Sequence, residues 1–169
     1  MRRIGLLSDT HGYLDDRILT YLDQCDEIWH AGDIGNIETA TALSERKPLR
    51  AVSGNIDPVN MHHDYPLRLR FLCEGVDVLM VHIGGYPGHY SPDIRKELIT
   101  SPPKLFISGH SHILKVIFDP KYQVLHINPG AAGVQGFHQI RTLIRFCIEK
   151  DLIKDLEVIE LGRKGIISM

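Results

Sequence analysis

The sequence predicts an α/β fold in which two mixed β-sheets pack face to face with helices on their outer sides. Three observations carry that expectation. The first two thirds of the chain alternates short apolar runs with amphipathic segments, the order that builds a parallel sheet with helices outside it. From residue 114 onward the pattern changes to strands and turns, the order of an antiparallel or mixed sheet. A chain of 169 residues fits one domain of roughly 100–200 residues, so both sheets are expected within a single domain spanning 1–169.

Each element has its own signal. Residues 4–7 form a compact apolar run, and residues 14–22 come next with Leu14, Ile18, Leu19 and Leu22 at helical spacing. A strand at 27–29, a helix at 37–43 and a strand at 49–52 repeat the unit. Residues 67–71 alternate Leu67, Leu69 and Phe71 with Arg68 and Arg70, the period of a half-exposed strand. A buried strand over 76–83, a short helix over 93–99 and a strand over 104–107 complete the first part. Strands at 114–118, 122–127, 140–148 and 153–159 make up the rest, with Asp119-Pro120 and Asn128-Pro129-Gly130 as turns between them.

Composition narrows the function classes. A net charge of -2 gives no electrostatic case for a nucleic-acid or membrane partner. No stretch approaches the ~20 apolar residues of a membrane span. The run after Met1-Arg2-Arg3 is shorter than the ~7–15 residues of a signal-peptide core, so a cytoplasmic protein is expected. Cys25, Cys73 and Cys147 are scattered and form no CxxC pair, against a disulfide framework or a Cys-rich zinc site. Histidine is the outlier, with ten in the chain, and it is the commonest metal ligand among side chains.

The informative regularity lies just past each apolar run. The first ends in Ser8-Asp9-Thr10-His11-Gly12, the second in His30-Ala31-Gly32-Asp33, the third in Ser53-Gly54-Asn55-Ile56-Asp57. The run from 76 leads into His82-Ile83-Gly84-Gly85, and that from 104 into Ser108-Gly109-His110-Ser111-His112. Five strands thus each deliver a metal-capable side chain beyond their carboxyl ends, the edge where open α/β sheets bind ligands. Carboxylate oxygens and neutral imidazole nitrogens suit divalent first-row metals. Glycine before Asp33, Asn55 and His110 permits close backbone approach. Asp9 and His11, two apart, project to one side of an extended backbone, and His110 and His112 share that spacing.

Asp9-x-His11, Gly32-Asp33, Gly54-Asn55-x-Asp57, His82 and Gly109-His110-Ser111-His112 together resemble the signature of the calcineurin-like metallophosphoesterases, in their small single-domain bacterial and archaeal form. The resemblance runs from residue 4 to about 130 and implies a four-layer αββα sandwich. It implies one metal on Asp9, His11, Asp33 and His112, and a second on Asp33, Asn55, His82 and His110, with Asp33 bridging. Asp33, Asn55 and His82 then carry the chemistry: hydrolysis of small phosphate esters, phosphodiesters first, by a hydroxide shared between two divalent ions. Manganese is the ion this family suggests, with iron, nickel, magnesium and zinc as alternatives, and a homo-oligomer stays open.

The chain departs from the fuller family motif at Ile56, where relatives carry a histidine that stabilises the transition state or protonates the leaving group. His62, His63, His89 and His138 are the free histidines that could replace it, and His89, on a loop beside His82, is the preferred substrate contact. Asn128-Pro129-Gly130-Ala131 resembles the family's Asn-Pro-Gly-Ser turn with Ala131 in place of serine. Asp57 reads as a turn cap or an orienting group, and His30 as a residue supporting Asp33. The main alternative is a weakly active or inactive interaction scaffold of the same fold, of which the retromer subunit is an example. An amidohydrolase barrel needs ~250 residues and is excluded by length.

Overall fold

The computed structural model describes residues 1–164, so residues 165–169 of the expected single domain lie outside the described residues. Ten strands and three α-helices succeed one another in the expected order. They are β1 (Arg2–Leu7), α1 (Asp16–Asp23), β2 (Glu27–His30), α2 (Ile37–Ser44), β3 (Leu49–Ala51), β4 (Arg68–Cys73) and β5 (Val76–Val81). Then come α3 (Pro92–Thr100), β6 (Leu105–Ile107), β7 (Lys115–Asp119), β8 (Val124–Asn128), β9 (Ile140–Glu149) and β10 (Leu152–Arg163). A single 3₁₀ turn at Val59–Met61, after Pro58, has no counterpart in the sequence expectation.

The strands form two five-stranded sheets, ordered β10-β9-β1-β2-β3 and β4-β5-β6-β8-β7. Both are mixed. In the first, β1, β2 and β3 are parallel and β9 runs antiparallel beside β1. In the second, β5, β6 and β8 are parallel, flanked by antiparallel β4 and β7. The layers are those of an αββα sandwich.

Burial explains the layering. Ile4, Leu6 and Trp29 from the first sheet meet Val78, Met80 and Ile107 from the second in one apolar core between the sheets. Trp29 anchors it, with its ring edge-on to Phe71 at 5.0 Å and to Phe146 at 5.6 Å. Outside the first sheet, Ile18 and Leu22 of α1 and Leu43 of α2 pack on Leu7 and Ile28. Outside the second, Ile94 and Leu98 of α3 pack on Leu79 and Phe106. A strand buried on both faces reads as a continuous apolar run, which is why these central strands stand out in the sequence.

Element ends differ from expectation for local reasons. Helix α1 starts at Asp16 rather than Leu14 because Asp15 is its N-cap, accepting from the Ile18 N–H at 2.9 Å. Strand β8 starts at Val124 rather than Tyr122, because Gln123 has φ 56°, a turn conformation that no strand continues.

Candidate metal centre

The five segments singled out by sequence come from both sheets. Strands β1, β2 and β3 carry Asp9, His11, Asp33 and Asn55 past the carboxyl edge of the first sheet, and β5 and β6 carry His82, His110 and His112 past that of the second. Hydrogen bonds zip the loops together beyond the strands. Asp9 N–H donates to Gly32 O at 2.9 Å, His11 N–H to Asp33 O at 3.0 Å, and Gly109 N–H to His82 O at 2.9 Å. The His82 ring bridges the sheets, its Nδ1 lying 2.8 Å from Ala31 O. A carbonyl only accepts, so His82 Nδ1 carries the proton and Nε2 is the lone-pair nitrogen.

The backbone at the site is not extended. Asp9, His11, Asp33, His110 and His112 have φ of 55°, 47°, 55°, 70° and 60°, the left-handed region. The Asp9-x-His11 pair therefore converges through turns rather than through the alternation of a strand. Asp and His tolerate that region better than most residues, but each such residue costs about 1–3 kcal/mol that the surrounding hydrogen bonds offset. Glycines permit the loops to approach. A Cβ on Gly54 would sit 2.1 Å from Asp33 Oδ1, and one on Gly109 would sit 2.3 Å from Ser8 Oγ.

Two groups of side chains result, each with ligand atoms within 4.8 Å of one another: Asp9, His11 and His112, and Asp33, His82 and His110. Asn55 joins the second group, its Oδ1 lying 3.2 Å from His110 Nδ1. The groups meet at Asp33 Oδ2, which is 3.4 Å from His11 Nε2 and 3.2 Å from His82 Nε2. Asp33 Oδ1 is turned away to accept from the Ile56 N–H at 3.1 Å. Asp9 is divided in the same way: Oδ2 accepts from Ser8 Oγ at 2.5 Å and His110 N–H at 3.2 Å, while Oδ1 faces His112 Nε2 at 3.1 Å.

These residues fit divalent ions. Asp9 Oδ1, His11 Nε2 and His82 Nε2 are buried without a hydrogen-bond partner among the described residues. Orphaned buried polar atoms are costly, and these three, divided between the two groups, call for cations in both. Ligands roughly 2.1 Å from an ion lie about 3.0–3.4 Å apart around it; the contacts of Asp33 Oδ2 with His11 and His82 and of Asp9 Oδ1 with His112 fall in that range, and Asp9 Oδ1 to His11 Nε2 is wider at 3.9 Å.

Electrostatics agree. Burial would raise the Asp9 carboxyl, yet contacts with His11, His112, His82 and Ser8 hold it well below the usual carboxylate range. Burial likewise opposes ionisation of Asp33, and His82 and the Ile56 N–H lower it. Asp9 raises His11 above the ordinary imidazole value. Burial works to lower His82, but Asp33 and Asp9 raise it overall.

Supporting residues surround the groups. Buried His30 accepts the Gly32 N–H at Nδ1 (3.1 Å), and its Nε2 lies 2.9 Å from Thr10 Oγ1, which donates to Ile34 O at 2.9 Å. Burial pushes His30 down to about 4, so it is a neutral strut between the Asp9 and Asp33 loops. Asp57 both caps its turn and orients a neighbour, accepting from Gly54 N–H at 2.7 Å, Gly35 N–H at 2.8 Å and Ile34 N–H at 3.1 Å. Asn128 pins the His110 loop through Gly109 O and Ser111 Oγ, both at 3.1 Å. Ser8 and Thr10 carry no distinguishing signal in the sequence beyond adjacency to Asp9.

Three histidines outside the seven sit differently. His126 is a core residue on β8, its Nδ1 3.1 Å from Phe106 O, and burial lowers it to about 4. His89 is exposed, with its ring against Tyr86 at 4.8 Å. Its backbone N–H donates to Tyr86 O at 2.8 Å, closing a turn that carries the ring onto Tyr86. His138 instead reaches a group member, its Nδ1 lying 3.2 Å from His112 Nδ1.

Adjoining nitrogen and oxygen clusters at the shared edge of an αββα sandwich define the class, a fold of the metallophosphoesterase type. The model of the calcineurin-like phosphoesterase superfamily domain matches residues 1–151, and the chain belongs to that superfamily. A probable metallophosphoesterase of Methanocaldococcus jannaschii is 27% identical over 165 residues, covering 93% of this chain and 81% of the relative. Among solved structures, a novel archaeal phosphodiesterase superposes with a TM-score of 0.73 at 20% identity, covering 94% of this chain and 99% of that one. Vps29 of Entamoeba histolytica, complexed with zinc, gives 0.71 at 14% identity, covering 94% and 98%. At those identities the structures show the fold.

Two outcomes are expected. Asp57→Ala strands three backbone N–H groups, at about 1–3 kcal/mol for each left buried and unpaired. Chemical denaturation of the metal-free variant should show a loss of about 3 kcal/mol or more; an unchanged midpoint would contradict the role given to Asp57. Metal binds neutral imidazole, and His11 and His82 are both raised above 6.5, so protons compete with metal at and above that pH. Calorimetric affinity for Mn²⁺ should rise steadily from about pH 6 to about pH 8, and a flat profile would count against both rings as ligands.

Proposed function

We propose that this phosphoesterase is a two-metal phosphodiesterase acting on small esters. The observation that carries the reading is the position of Asp33 Oδ2 between the two groups, within 3.4 Å of a nitrogen from each. Asp9, His11, Asp33 and His112 would hold one ion and Asp33, Asn55, His82 and His110 the other, with Asp33 common to both sets. The donors are oxygen and nitrogen without thiolate, which suits divalent first-row metals, and manganese is the ion that the family resemblance suggests. When bound, the ions supply hydroxide near neutral pH and offset charge on the phosphoryl oxygens.

The chain's own residues set the rest. Asp33, Asn55 and His82 fix where the reacting phosphorus sits. His82 is held for this by Ala31 O, and Asp33 by the Ile56 N–H. Ile56, 44% exposed, brings no proton to the leaving group. Esters whose leaving groups depart without protonation are therefore preferred. Beside Asn55 and His82 lies a cleft of about 330 Å³ lined by Leu67, Val81 and Ile83 together with Arg68 and Asp93. A diester carries a second organic group that a monoester lacks, and this largely apolar cleft gives it a place.

An interaction scaffold is the second reading, favoured by the same exposed apolar side chains, Ile56, Leu67 and Ile83. Turnover decides. Metal-stripped protein restored with each divalent ion should hydrolyse aryl phosphodiesters faster than aryl monoesters or alkyl diesters, with Mn²⁺ the most effective. Asp33→Asn should lower that rate by about 10²–10³-fold, the loss typical of removing a group that stabilises the transition state. Bound metal without turnover on any ester would select the scaffold, and wild-type rates in Asp33→Asn would contradict the shared-ligand assignment.

A further inference from the structure

We propose that His138 is a positioning residue for the metal centre, accepting the Nδ1–H of His112 and so turning the His112 Nε2 lone pair into the site. The inference rests on the proposed role of His112 as a ligand and adds a residue that the family signature in this chain does not contain.

Hydrogen-bond direction carries the argument. His138 Nε2 lies 2.8 Å from Gly133 O. A carbonyl oxygen only accepts, so this nitrogen carries a proton. The neutral ring then has its lone pair at Nδ1, which faces His112 Nδ1 at 3.2 Å. One hydrogen must lie between two ring nitrogens at that distance, and it belongs to His112. Its remaining nitrogen, Nε2, is left with a lone pair 3.1 Å from Asp9 Oδ1. Two lone pairs facing each other repel, and a cation between them turns the contact into coordination.

The relay is anchored at both ends on one residue. Gly133, whose carbonyl orients His138, donates its own N–H to Asp9 O at 3.2 Å. The chain of contacts thus leaves the Asp9 backbone, passes through Gly133, His138 and His112, and returns to the Asp9 carboxylate. The two rings pack edge-to-face at 5.1 Å. Gly136 has φ +123° and leaves them room, since a Cβ there would fall 2.2 Å from His112 Nδ1. His82 obtains its orientation from the Ala31 carbonyl, which no side-chain substitution removes. His112 depends on a side chain. The same geometry withdraws His138 from the set of candidate leaving-group acids, because one nitrogen is bound to Gly133 O and the other faces His112.

The test uses the full chain. Long-range ¹H–¹⁵N spectra of the zinc-loaded protein should show His138 as the Nε2–H tautomer and His112 as the Nδ1–H tautomer. A proton on Nδ1 of His138 would overturn the proposal. Calorimetric titration with Mn²⁺ should show one of two ions bound about 10–100-fold more weakly in His138→Leu, the range expected when a ligand's supporting partner is lost. His138→Gln, whose amide both accepts and donates, should recover most of that loss. Wild-type affinity for both ions in His138→Leu would refute the role. If His138→Leu does not fold, the wild-type spectra decide. A wild-type chain that binds no ion would instead count against the proposed function, and the tautomers of the metal-free rings still decide the relay.

Discussion

Two buried carboxylates within reach of four imidazoles are the constraint on which the rest of the molecule depends. Asp9 is 0% exposed and Asp33 3%. Removing an ionised carboxylate from water costs several kcal/mol unless charge and hydrogen bonds compensate it. Each carboxylate is therefore split in use. One oxygen takes local donors, Ser8 and the His110 N–H for Asp9 and the Ile56 N–H for Asp33. The other is left bare toward the same small volume, with imidazole nitrogens beside it. Without a cation that volume holds only repelling lone pairs or competing protons.

The fold supplies this arrangement through its layering. Three parallel strands in one sheet and two in the other end at a common edge, so metal-capable side chains remote in sequence arrive on opposing loops. The apolar core between the sheets, with Trp29 at its centre, fixes the distance across that edge. Left-handed turns at five of the seven residues then aim the side chains inward. Such turns are strained, and backbone contacts between neighbouring loops hold them: His11 to Asp33, Gly109 to His82, Gly133 to Asp9. Stability of the sandwich and geometry of the site are the same problem here.

Much of this architecture is legible in the residues alone. The apolar runs mark the central strands because burial on both faces leaves no alternation to confuse them. The recurrence of Asp, Asn or His just past five of those runs points to one edge, and glycine at 54 and 109 points to close approach. Other features leave no trace in a linear pattern. Nothing in the sequence divides the strands that carry the seven residues three and two between sheets, because pairing depends on long-range packing. The two-residue spacing of Asp9 and His11 suggests extended backbone, whereas the turn conformation comes from contacts with the Asp33 loop. His138 lies 26 residues beyond His112 in an irregular loop, and its significance depends wholly on where that loop folds back. Asp57 reads as a turn cap or an orienting group and is both, but its two contacts with the Asp33 loop, from the Ile34 and Gly35 N–H groups, are tertiary.

The central claim is that Asp33 joins two ions in one centre. Electron paramagnetic resonance of the protein loaded with two equivalents of Mn²⁺ tests it most directly. Ions sharing a carboxylate are magnetically coupled, so the account predicts the multiline spectrum of an exchange-coupled pair, collapsing to isolated-ion signals in Asp33→Ala. A wild-type spectrum of independent Mn²⁺ ions at full occupancy would contradict it.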